Sequence, residues 1–434
     1  MRMTQTGAPF TQEEYLMMER IVSRENTLRA LKRVEKNKGS HGADQMPVQN
    51  LRAHMVENWN DLKSSLVSGT YFPSPVRRVE IPKPDGGVRK LGIPTVTDRF
   101  IQQAIIQALT PIYDSTFSSC SFGFRPGKRA HDAVKLAQSY IREGYRWVVD
   151  IDLEKFFDKV NHDRLMTTLA RKITDVSLIK LIRRYLQAGI MENGLTTVNV
   201  EGTPQGGPLS PLLSNIVLDE LDKELERRGH RFVRYADDCN IYVKSRRAGE
   251  RVMSAITSFI EKKLKLKVNR DKSAVDRPWK RKFLGFSFTH HKEPKVRISP
   301  SSIKRFKKKV RELTSRKWSI AMENRIRELN KYLVGWMSYY SLAQTRSIIA
   351  RLEGWLSRRL RMIRWKEWKN PRTRVRNLSS LGIRKDKAYE WGNSRKGYWR
   401  TAKSPILDKT LGKSYWLSQG LKSLTARYDY LRQT

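Results

Sequence analysis

Cysteine and long apolar runs are the scarcest features of this sequence. Cys120 and Cys239 are the only two thiols in 434 residues, which excludes a disulfide framework and a cysteine-based zinc site. No apolar run approaches the roughly 20 residues of a membrane-spanning helix, and no charged-then-apolar signal segment opens the chain. We therefore expect a cytoplasmic protein with no membrane partner.

Acidic residues are few compared with basic ones. The chain has 43 Asp and Glu against 86 Lys and Arg, a formal net charge of +43. This excess goes beyond what solubility needs and favours a polyanionic partner, with nucleic acid as the first candidate and an anionic membrane surface as the alternative. A chain of this length is too long for one core and suggests about three domains.

The stretch Phe232–Val243 places two adjacent carboxylates inside an apolar pattern. Apolar and aromatic residues precede and follow Asp237 and Asp238, which predicts two short strands with the acids at the turn between them. Adjacent carboxylates repel each other, and a divalent metal ion is the simplest compensation. Asp is also an ordinary hairpin-turn residue, so the stretch alone leaves both interpretations open.

A second acidic cluster follows a predicted strand at Trp147–Ile151. This strand leads directly into Asp152, and Phe157 belongs to an apolar helical pattern immediately after it. An acid at the carboxyl end of a strand points into a cleft. Asp150, Asp152 and Asp158 are also compatible with ordinary strand-end and helix-start positions, although three acids within nine positions favour a site.

Residues 76–95 predict a basic hairpin upstream of these acids. Its turn would be Asp85-Gly86-Gly87, and Lys83 and Arg89 would lie on neighbouring strands. Two cations on a rigid ribbon suit a triphosphate. A solvated basic hairpin would have the same pattern.

Two loops and two further short strands are also predicted, one of the strands at Phe283–Phe288. Residues 201–216 form a loop rich in glycine and proline, which lets backbone approach a ligand but is also typical of a plain connection. Residues 121–126 combine aromatic rings with Arg125 and suit stacking or phosphate contact. Leu266–Ser273 has the pattern of a short strand.

The last third of the chain differs from the rest. Residues 301–434 carry more than half of the net positive charge and most of the 11 Trp. Cations interleaved with flat rings can follow a phosphate backbone and stack on bases, whereas a helical bundle would bury part of the Trp as core. Periodicity predicts such a bundle over about residues 301–368, and Pro371 ends the pattern before a separate basic module.

These pieces combine into one kind of site. Asp152 and the pair Asp237-Asp238, with a glycine loop between them and a basic hairpin upstream, are the parts of a two-metal polymerase site. Carboxylates are the natural ligands for Mg²⁺, which prefers oxygen. In phosphoryl transfer the protein mainly positions groups and neutralises charge.

The sequence closely resembles the bacterial group II intron-encoded reverse transcriptases, also called maturases, and most nearly those of the compact C-type introns. The resemblance covers nearly the whole chain, and its motifs occur in the family's order. They are residues 78–89, 121–126, 150–158, 202–211, 235–238 and 283–286.

The resemblance implies an α+β fold: a right-hand polymerase with fingers, an antiparallel-sheet palm, an α-helical thumb and a basic DNA-binding domain. The implied boundaries are 1–70 for an N-terminal extension, 71–298 for fingers and palm, 299–370 for the thumb and maturase domain, and 371–434 for DNA binding. Many relatives append a His-Asn-His endonuclease domain with cysteine pairs. We do not expect that activity, because no cysteine follows Cys239.

The resemblance also implies roles for single residues. The catalytic acids would be Asp152, Asp237 and Asp238, holding two Mg²⁺ ions with the Leu153 carbonyl, and Mn²⁺ would be a possible substitute. Phe157, five positions after Asp152, would exclude the ribose 2′-hydroxyl of an incoming nucleotide. The other nucleotide contacts would be Lys83 and Arg89 on the triphosphate and Gln205 in the pocket. Nucleic acid would be bound by Arg125, Lys304, Arg305, Lys307 and Lys308.

The implied function is RNA-directed DNA polymerisation for a group II intron. The protein would copy intron RNA into cDNA during retrohoming and bind the same RNA to assist splicing. Its partners would be intron RNA, an RNA template with a DNA or RNA primer, target DNA and dNTPs. The alternative is an RNA-binding maturase that acts only in splicing. The intact acids favour the polymerase, because a lapsed site has no physical reason to keep clustered carboxylates.

Overall fold

The computed structural model describes residues 17–82, 87–192, 195–197, 202 and 206–433. Lys83 and Gln205, both predicted to bind nucleotide, lie outside the described residues. The chain divides into two compact units, residues 1–277 and 278–434.

The helices of the first unit bury the faces that their apolar spacing predicts. In the helix Val96–Asp114, Ile101, Ile105 and Leu109 recur every four positions and are all buried. The helices are α1 (Met17–Val22), α2 (Arg24–Asn37), α3 (Leu51–Val67), α4 (Val96–Asp114), α5 (Ala130–Arg142), α6 (Phe156–Lys159), α7 (His162–Ala170), α8 (Val176–Gln187), α9 (Ser210–Arg227) and α10 (Arg246–Phe259), with a 3-10 turn at Val48–Asn50 and a π-helical turn at Ile260–Leu264.

The described strands of the first unit form two sheets. They are β1 (Val76–Pro82), β2 (Val88–Ile93), β3 (Trp147–Ile151), β4 (Ile190–Glu192), β5 (Leu195–Thr197), β6 (Arg231–Tyr235), β7 (Asp238–Val243) and β8 (Ala274–Asp276). One sheet has the order β2-β1-β4-β5. In it β1 and β2 pair antiparallel, with Ile81 opposite Arg89, which confirms the two arms of the predicted basic hairpin.

The other sheet has the order β6-β7-β3-β8 and is antiparallel throughout. Tyr235 pairs with Asp238, so β6 and β7 are the predicted hairpin with its acids at the turn. Ile151 at the end of β3 pairs with Cys239. Asp152 directly follows the last residue of β3, and this register therefore brings Asp152 beside the β6–β7 turn.

The prediction of a strand at Leu266–Ser273 is wrong. This stretch forms one isolated bridge, between Val268 and Leu153, and strand β8 begins only at Ala274. Because the sheet offers β3 as a partner only from Val148 to Asp150, the residues before Ala274 run past the strand end instead of extending the ladder.

The second unit is helical apart from a two-stranded sheet, among its described residues. Phe306, Trp336 and Tyr340 stack in its core, with neighbouring ring centres 4.4 and 4.7 Å apart. The helical pattern predicted to end before Pro371 does end there, at Glu367, and Pro371 begins the next helix. The elements are β9 (Phe286–Phe288), β10 (Val296–Ile298), α11 (Pro300–Leu313), α12 (Met322–Tyr340), α13 (Arg346–Glu367), α14 (Pro371–Ser380), α15 (Lys385–Gly392), α16 (Tyr398–Thr401), α17 (Pro405–Thr410), α18 (Lys413–Ser418) and α19 (Leu424–Gln433).

The tryptophans of the second unit divide between core and surface. Trp365 and Trp416 are fully buried, whereas Trp318 and Trp399 are each 37% exposed. The exposed rings lie next to cations: the guanidinium carbon of Arg358 is 3.9 Å from the centre of the Trp399 ring. The core interpretation is therefore confirmed for the buried rings, and contact of the exposed rings with nucleic acid stays a prediction. Across the described parts of the chain, no helix combines the length and apolar character needed to cross a membrane.

Candidate active site

Asp152 is held by the segment that follows the π-helical turn. Its N–H donates to the Ser273 hydroxyl oxygen at 3.0 Å, and its carbonyl oxygen accepts the Asn269 N–H at 2.8 Å. Glu154 N–H donates to the Lys267 carbonyl on the far side of the Leu153–Val268 bridge. The two backbone hydrogen bonds on either side of this bridge are made by the Asp152 carbonyl and the Glu154 N–H. The Leu153 carbonyl takes part in neither of them.

The turn that carries Asp237 has a backbone conformation that few residues adopt. Ala236 has φ +56°, in the left-handed region. A Cβ added to Gly123 would lie 2.2 Å from the Ala236 nitrogen, so the loop at residues 121–126 packs directly on this turn. The predicted contact loop therefore supports the turn between β6 and β7.

A buried ion pair holds the same turn in place, and the sequence analysis did not find it. Arg234 and Asp222 have fully buried side chains and form two hydrogen bonds, at 2.7 and 2.6 Å. Arg234 Nη1 also donates to the Ala236 carbonyl at 2.9 Å and to Asn215 Oδ1 at 3.0 Å. Asn215 in turn donates to the Gly123 carbonyl at 2.8 Å. The available signal was Arg234 itself, a cation inside an apolar strand.

Asp152 and Asp237 line one open cavity of about 1890 Å³ in the first unit. Asp238 does not line it, although it lies in the adjacent position. The structure therefore brings two of the three predicted acids to one cavity: Asp237 lies in the turn between β6 and β7, whereas Asp238 is the first residue of β7. Groups on several other segments also line the cavity, among them Arg89 and Lys90, Phe124, Phe156–Lys159, Gly206 and Gly207, and Lys265–Lys272.

Among the described residues, the cavity lining carries eight Lys and Arg and six Asp and Glu, and the charges of Asp152 and Asp237 interact. Burial raises the pKa of Asp237, and the nearby charge of Asp152 raises it further, whereas Arg89 and Arg234 lower it. The Lys272 ammonium lies 3.8 Å from Asp152 Oδ2. A cation bound beside Asp237 would offset this unfavourable interaction with the Asp152 charge.

The described residues contain no group of three or more His, Cys, Asp and Glu side chains placed to hold a metal ion. Mg²⁺ at phosphoryl-transfer sites, however, is usually bound by one or two carboxylates together with substrate phosphates and water. Asp152 and Asp237, with the Leu153 carbonyl outside the flanking hydrogen bonds, offer oxygen donors of this kind. The donor set fits a divalent ion that binds with a nucleotide.

Two of the predicted nucleotide-binding residues are within the described structure. Arg89 is exposed and lines the cavity, and Phe157 lines it with its ring edge-to-face on Phe156, at 5.3 Å between ring centres. A Cβ on Gly206 would lie 2.7 Å from the Gly92 carbonyl oxygen, so the glycine loop meets the basic hairpin at its second strand.

Arg125 has a different place from the one predicted. Its side chain is 6% exposed and pairs with Asp114 at 2.7 Å. Its other donors reach the carbonyls of Asp114, Ser118 and Ser121. These bonds use the guanidinium to fold the loop, which disfavours the predicted contact with nucleic acid.

The predicted nucleic-acid residues of the second unit lie on α11. Lys304, Arg305 and Lys308 are exposed. Lys307 is half-buried, with its ammonium 5.8 Å from the centre of the Trp355 ring. This helix therefore presents several positive charges to solvent.

Comparison with known proteins gives two family matches. The family described as "Reverse transcriptase (RNA-dependent DNA polymerase)" matches residues 81–288, and "Group II intron, maturase-specific domain" matches residues 303–382. Protein YkfC of Escherichia coli (strain K12) is 34% identical over 279 residues, which cover 55% of this chain and 73% of YkfC. This chain belongs to the group II intron-encoded reverse transcriptases. The α+β right-hand polymerase fold implied by the sequence is thereby confirmed.

Other relatives of this reverse transcriptase match over shorter stretches. Group II intron-encoded protein LtrA of Lactococcus lactis subsp. cremoris is 45% identical over 160 residues, 37% of this chain and 26% of LtrA. Putative COX1/OXI3 intron 2 protein of Saccharomyces cerevisiae is 33% identical over 202 residues, 46% of this chain and 23% of that protein. Among solved structures, a partial Cas6-RT-Cas1--Cas2 complex aligns with a TM-score of 0.37 and 27% identity, covering 56% of this chain and 42% of the other.

Proposed function

We propose that this reverse transcriptase copies RNA into DNA in the cavity that Asp152 and Asp237 share. The observation that carries the proposal is their convergence there, from strand ends 85 positions apart in the sequence, opposite an exposed Arg89. The cavity is open, and its cationic lining suits the phosphates of a primer, a template and an incoming dNTP.

Each group in the cavity has a proposed task. Asp152, Asp237 and the Leu153 carbonyl would hold two Mg²⁺ ions, for which Mn²⁺ could substitute, and Asp238 would contribute from the adjacent position. The bound ions would favour attack of the primer 3′-hydroxyl and stabilise the leaving pyrophosphate. Arg89, together with Lys83, would orient the triphosphate. Phe157 would lie against the nucleotide sugar, and Gln205 would line the pocket.

Primer extension tests this function directly. We expect the purified chain to extend a DNA primer on an RNA template with Mg²⁺ and dNTPs, and to stop when EDTA removes the metal. Substitution of Mn²⁺ for Mg²⁺ should restore extension. A protein that binds the primed template but adds no nucleotide under either metal would contradict the polymerase proposal.

A second function, assistance to intron splicing, is favoured by the maturase-specific match at residues 303–382. In this proposal the basic surface of the second unit binds intron RNA, and the residues after Pro371 bind target DNA. The division into domains at 70/71, 298/299 and 370/371 belongs to the same proposal. Splicing of the intron RNA with an Asp237→Asn variant separates the two functions, because splicing should persist when polymerisation is lost.

Phe157→Ala should admit ribonucleotides. Removing the ring opens space beside the sugar, so we expect the preference for dNTP over rNTP to fall on the order of tenfold or more. The measurement is the ratio of kcat/KM for the two nucleotides on one primed RNA template. Phe157→Tyr keeps the ring and should keep the preference. An unchanged ratio in the alanine variant would reject the gate assignment.

RNA binding should depend steeply on salt. Each phosphate contact releases counterions, so binding by six to ten contacts would lose on the order of 10³ to 10⁵ in affinity between 50 and 200 mM salt. Replacing Lys304, Arg305 and Lys308 by Gln should lower the log–log slope by roughly 2 to 3. Lys331→Gln is the matched control, because that ammonium is already paired with Glu328 at 2.7 Å. Equal slopes in the triple variant and the wild type would contradict the assignment of α11.

A further inference from the structure

Gly202 is attached by two hydrogen bonds to the short segment that follows α6. Its N–H donates to the Val160 carbonyl at 2.9 Å, and its carbonyl accepts from His162 Nε2 at 2.6 Å. The His162 side chain is buried in the first unit. Because a carbonyl oxygen can only accept, His162 carries a proton on Nε2 in this arrangement.

Gly202 also lies in direct backbone contact with the residues that present Phe157. A Cβ at position 202 would lie 2.6 Å from the Phe157 carbonyl oxygen and 2.7 Å from the Asp158 Cα. Gly202 has φ +87°, a backbone conformation that residues other than glycine rarely adopt. Backbone at position 202 therefore sets how far residues 157 and 158 can move toward the glycine loop.

The segment that carries Phe157 has little support of its own. Helix α6 spans only Phe156–Lys159, too short to be stable by its internal hydrogen bonds. It begins after Lys155, which has φ +47°. Its internal anchor is the buried ring of Phe156, while Phe157 faces the cavity. Its position therefore depends on what packs against it from outside.

We propose that His162 and Gly202 are positioning residues for Phe157, and so determine how strictly this reverse transcriptase rejects ribonucleotides. The inference rests on the proposed role of Phe157 as the gate. Exclusion of one hydroxyl by contact depends on where the ring stands, and misplacement of a positioned group by about 1 Å can change rates on the order of 10²-fold. His162 and Gly202 hold the segment from one side, and Phe156 holds it from the core.

The test compares two conservative variants of His162. A Gln side chain can place an N–H donor near the position of Nε2, whereas Asn is too short to reach the Gly202 carbonyl. We expect His162→Asn to lower the dNTP over rNTP preference about tenfold, mainly by lowering the KM for rNTP, and to change kcat for dNTP less than threefold. His162→Gln should restore the preference to within about threefold of the wild type. Two outcomes would overturn the proposal. One is a His162→Asn variant with the wild-type preference for dNTP over rNTP, and the other is an equal loss of that preference in His162→Asn and His162→Gln.

The Phe157→Ala background shows whether His162 acts through the gate. There, His162→Asn should produce no further loss, because residues that act as one unit are not additive. The same loss in both backgrounds would mean that His162 acts elsewhere. If Phe157→Ala alone leaves the preference unchanged, the gate and this inference are both wrong, whereas absence of any dNTP addition by the wild type would contradict the polymerase function itself.

Gly202→Ala perturbs the same segment through its backbone contact with residues 157 and 158, and this test does not depend on the stability of the His162 variants. Its Cβ would have to displace residues 157 and 158, so we expect a loss of preference of similar size. Circular dichroism melting curves would identify variants that fail to fold. A folded Gly202→Ala protein with the wild-type preference would contradict the inference.

Discussion

Asp152→Asn and Asp237→Asn should each reduce dNTP addition on the order of 10³-fold or more, with primed-template affinity nearly unchanged. Both carboxylates line the cavity, and the described residues contain no group of three or more His, Cys, Asp and Glu side chains that could hold a metal ion without the substrate. Each substitution removes the charge of a proposed metal ligand without removing volume, since Asn has nearly the shape of Asp. The measurement is single-turnover nucleotide addition over a range of Mg²⁺ concentrations.

Asp150→Asn is the matched control for this pair. Asp150 is two residues before Asp152, in the body of β3, where it pairs with Asn240 and does not line the cavity. We expect the Asp150→Asn variant to add dNTP at a rate within about threefold of the wild type. Asp238→Asn should reduce the rate of dNTP addition less than Asp237→Asn does, because of these two residues only Asp237 lines the cavity. If Asp150→Asn were as inactive as Asp152→Asn, the loss of activity would come from damage to strand β3 and not from loss of the Asp152 carboxylate.

Arg234→Met should destabilise the first unit by about 3–5 kcal/mol, because it leaves the Asp222 carboxylate buried without its partner. Both side chains are fully buried. The double variant Arg234→Met with Asp222→Leu removes both charges together and should recover most of the lost stability. Thermal unfolding followed by circular dichroism compares the three proteins.

Activity should not recover with stability in that double variant. The Ala236 carbonyl and Asn215 both lose the donor that Arg234 supplies, so the turn carrying Asp237 loses its support even in a stable protein. We expect kcat to remain reduced on the order of tenfold or more while KM for dNTP changes little. Full activity in the stable double variant would show that the ion pair serves stability alone.

Local pattern was enough to predict several parts of the fold. The hairpin with acids at its turn, the strand leading into Asp152 and the helix boundary at Pro371 all follow from short-range alternation, periodicity or a missing N–H. The prediction at Leu266–Ser273 failed because a strand needs a partner as well as a pattern. Strand β3 ends at Ile151, and beyond it only the Leu153–Val268 bridge forms.

Arg125 shows why a residue's role is harder to predict than its element. A guanidinium in a loop with aromatic rings has the same local sequence whether it meets a phosphate or a protein carbonyl. Asp114 and the carbonyls of Ser118 and Ser121 decide the matter here, and their positions depend on how α4 ends. Arg234 and His162 were missed for the related reason that their partners, Asp222 and Gly202, are distant along the chain.

The sequence by itself determined the chemistry of this protein: which acids, cations and glycines it has, and the order that places it among group II intron-encoded reverse transcriptases. Only the tertiary structure decided which of those groups meet. Asp237 lines the same cavity as Asp152 and Asp238 does not, Arg125 turns inward, and Gly202 contacts the backbone beside Phe157. The physical reason is that charge and residue type are properties of single positions, whereas burial, pairing and close backbone contact depend on residues brought together from distant parts of the chain.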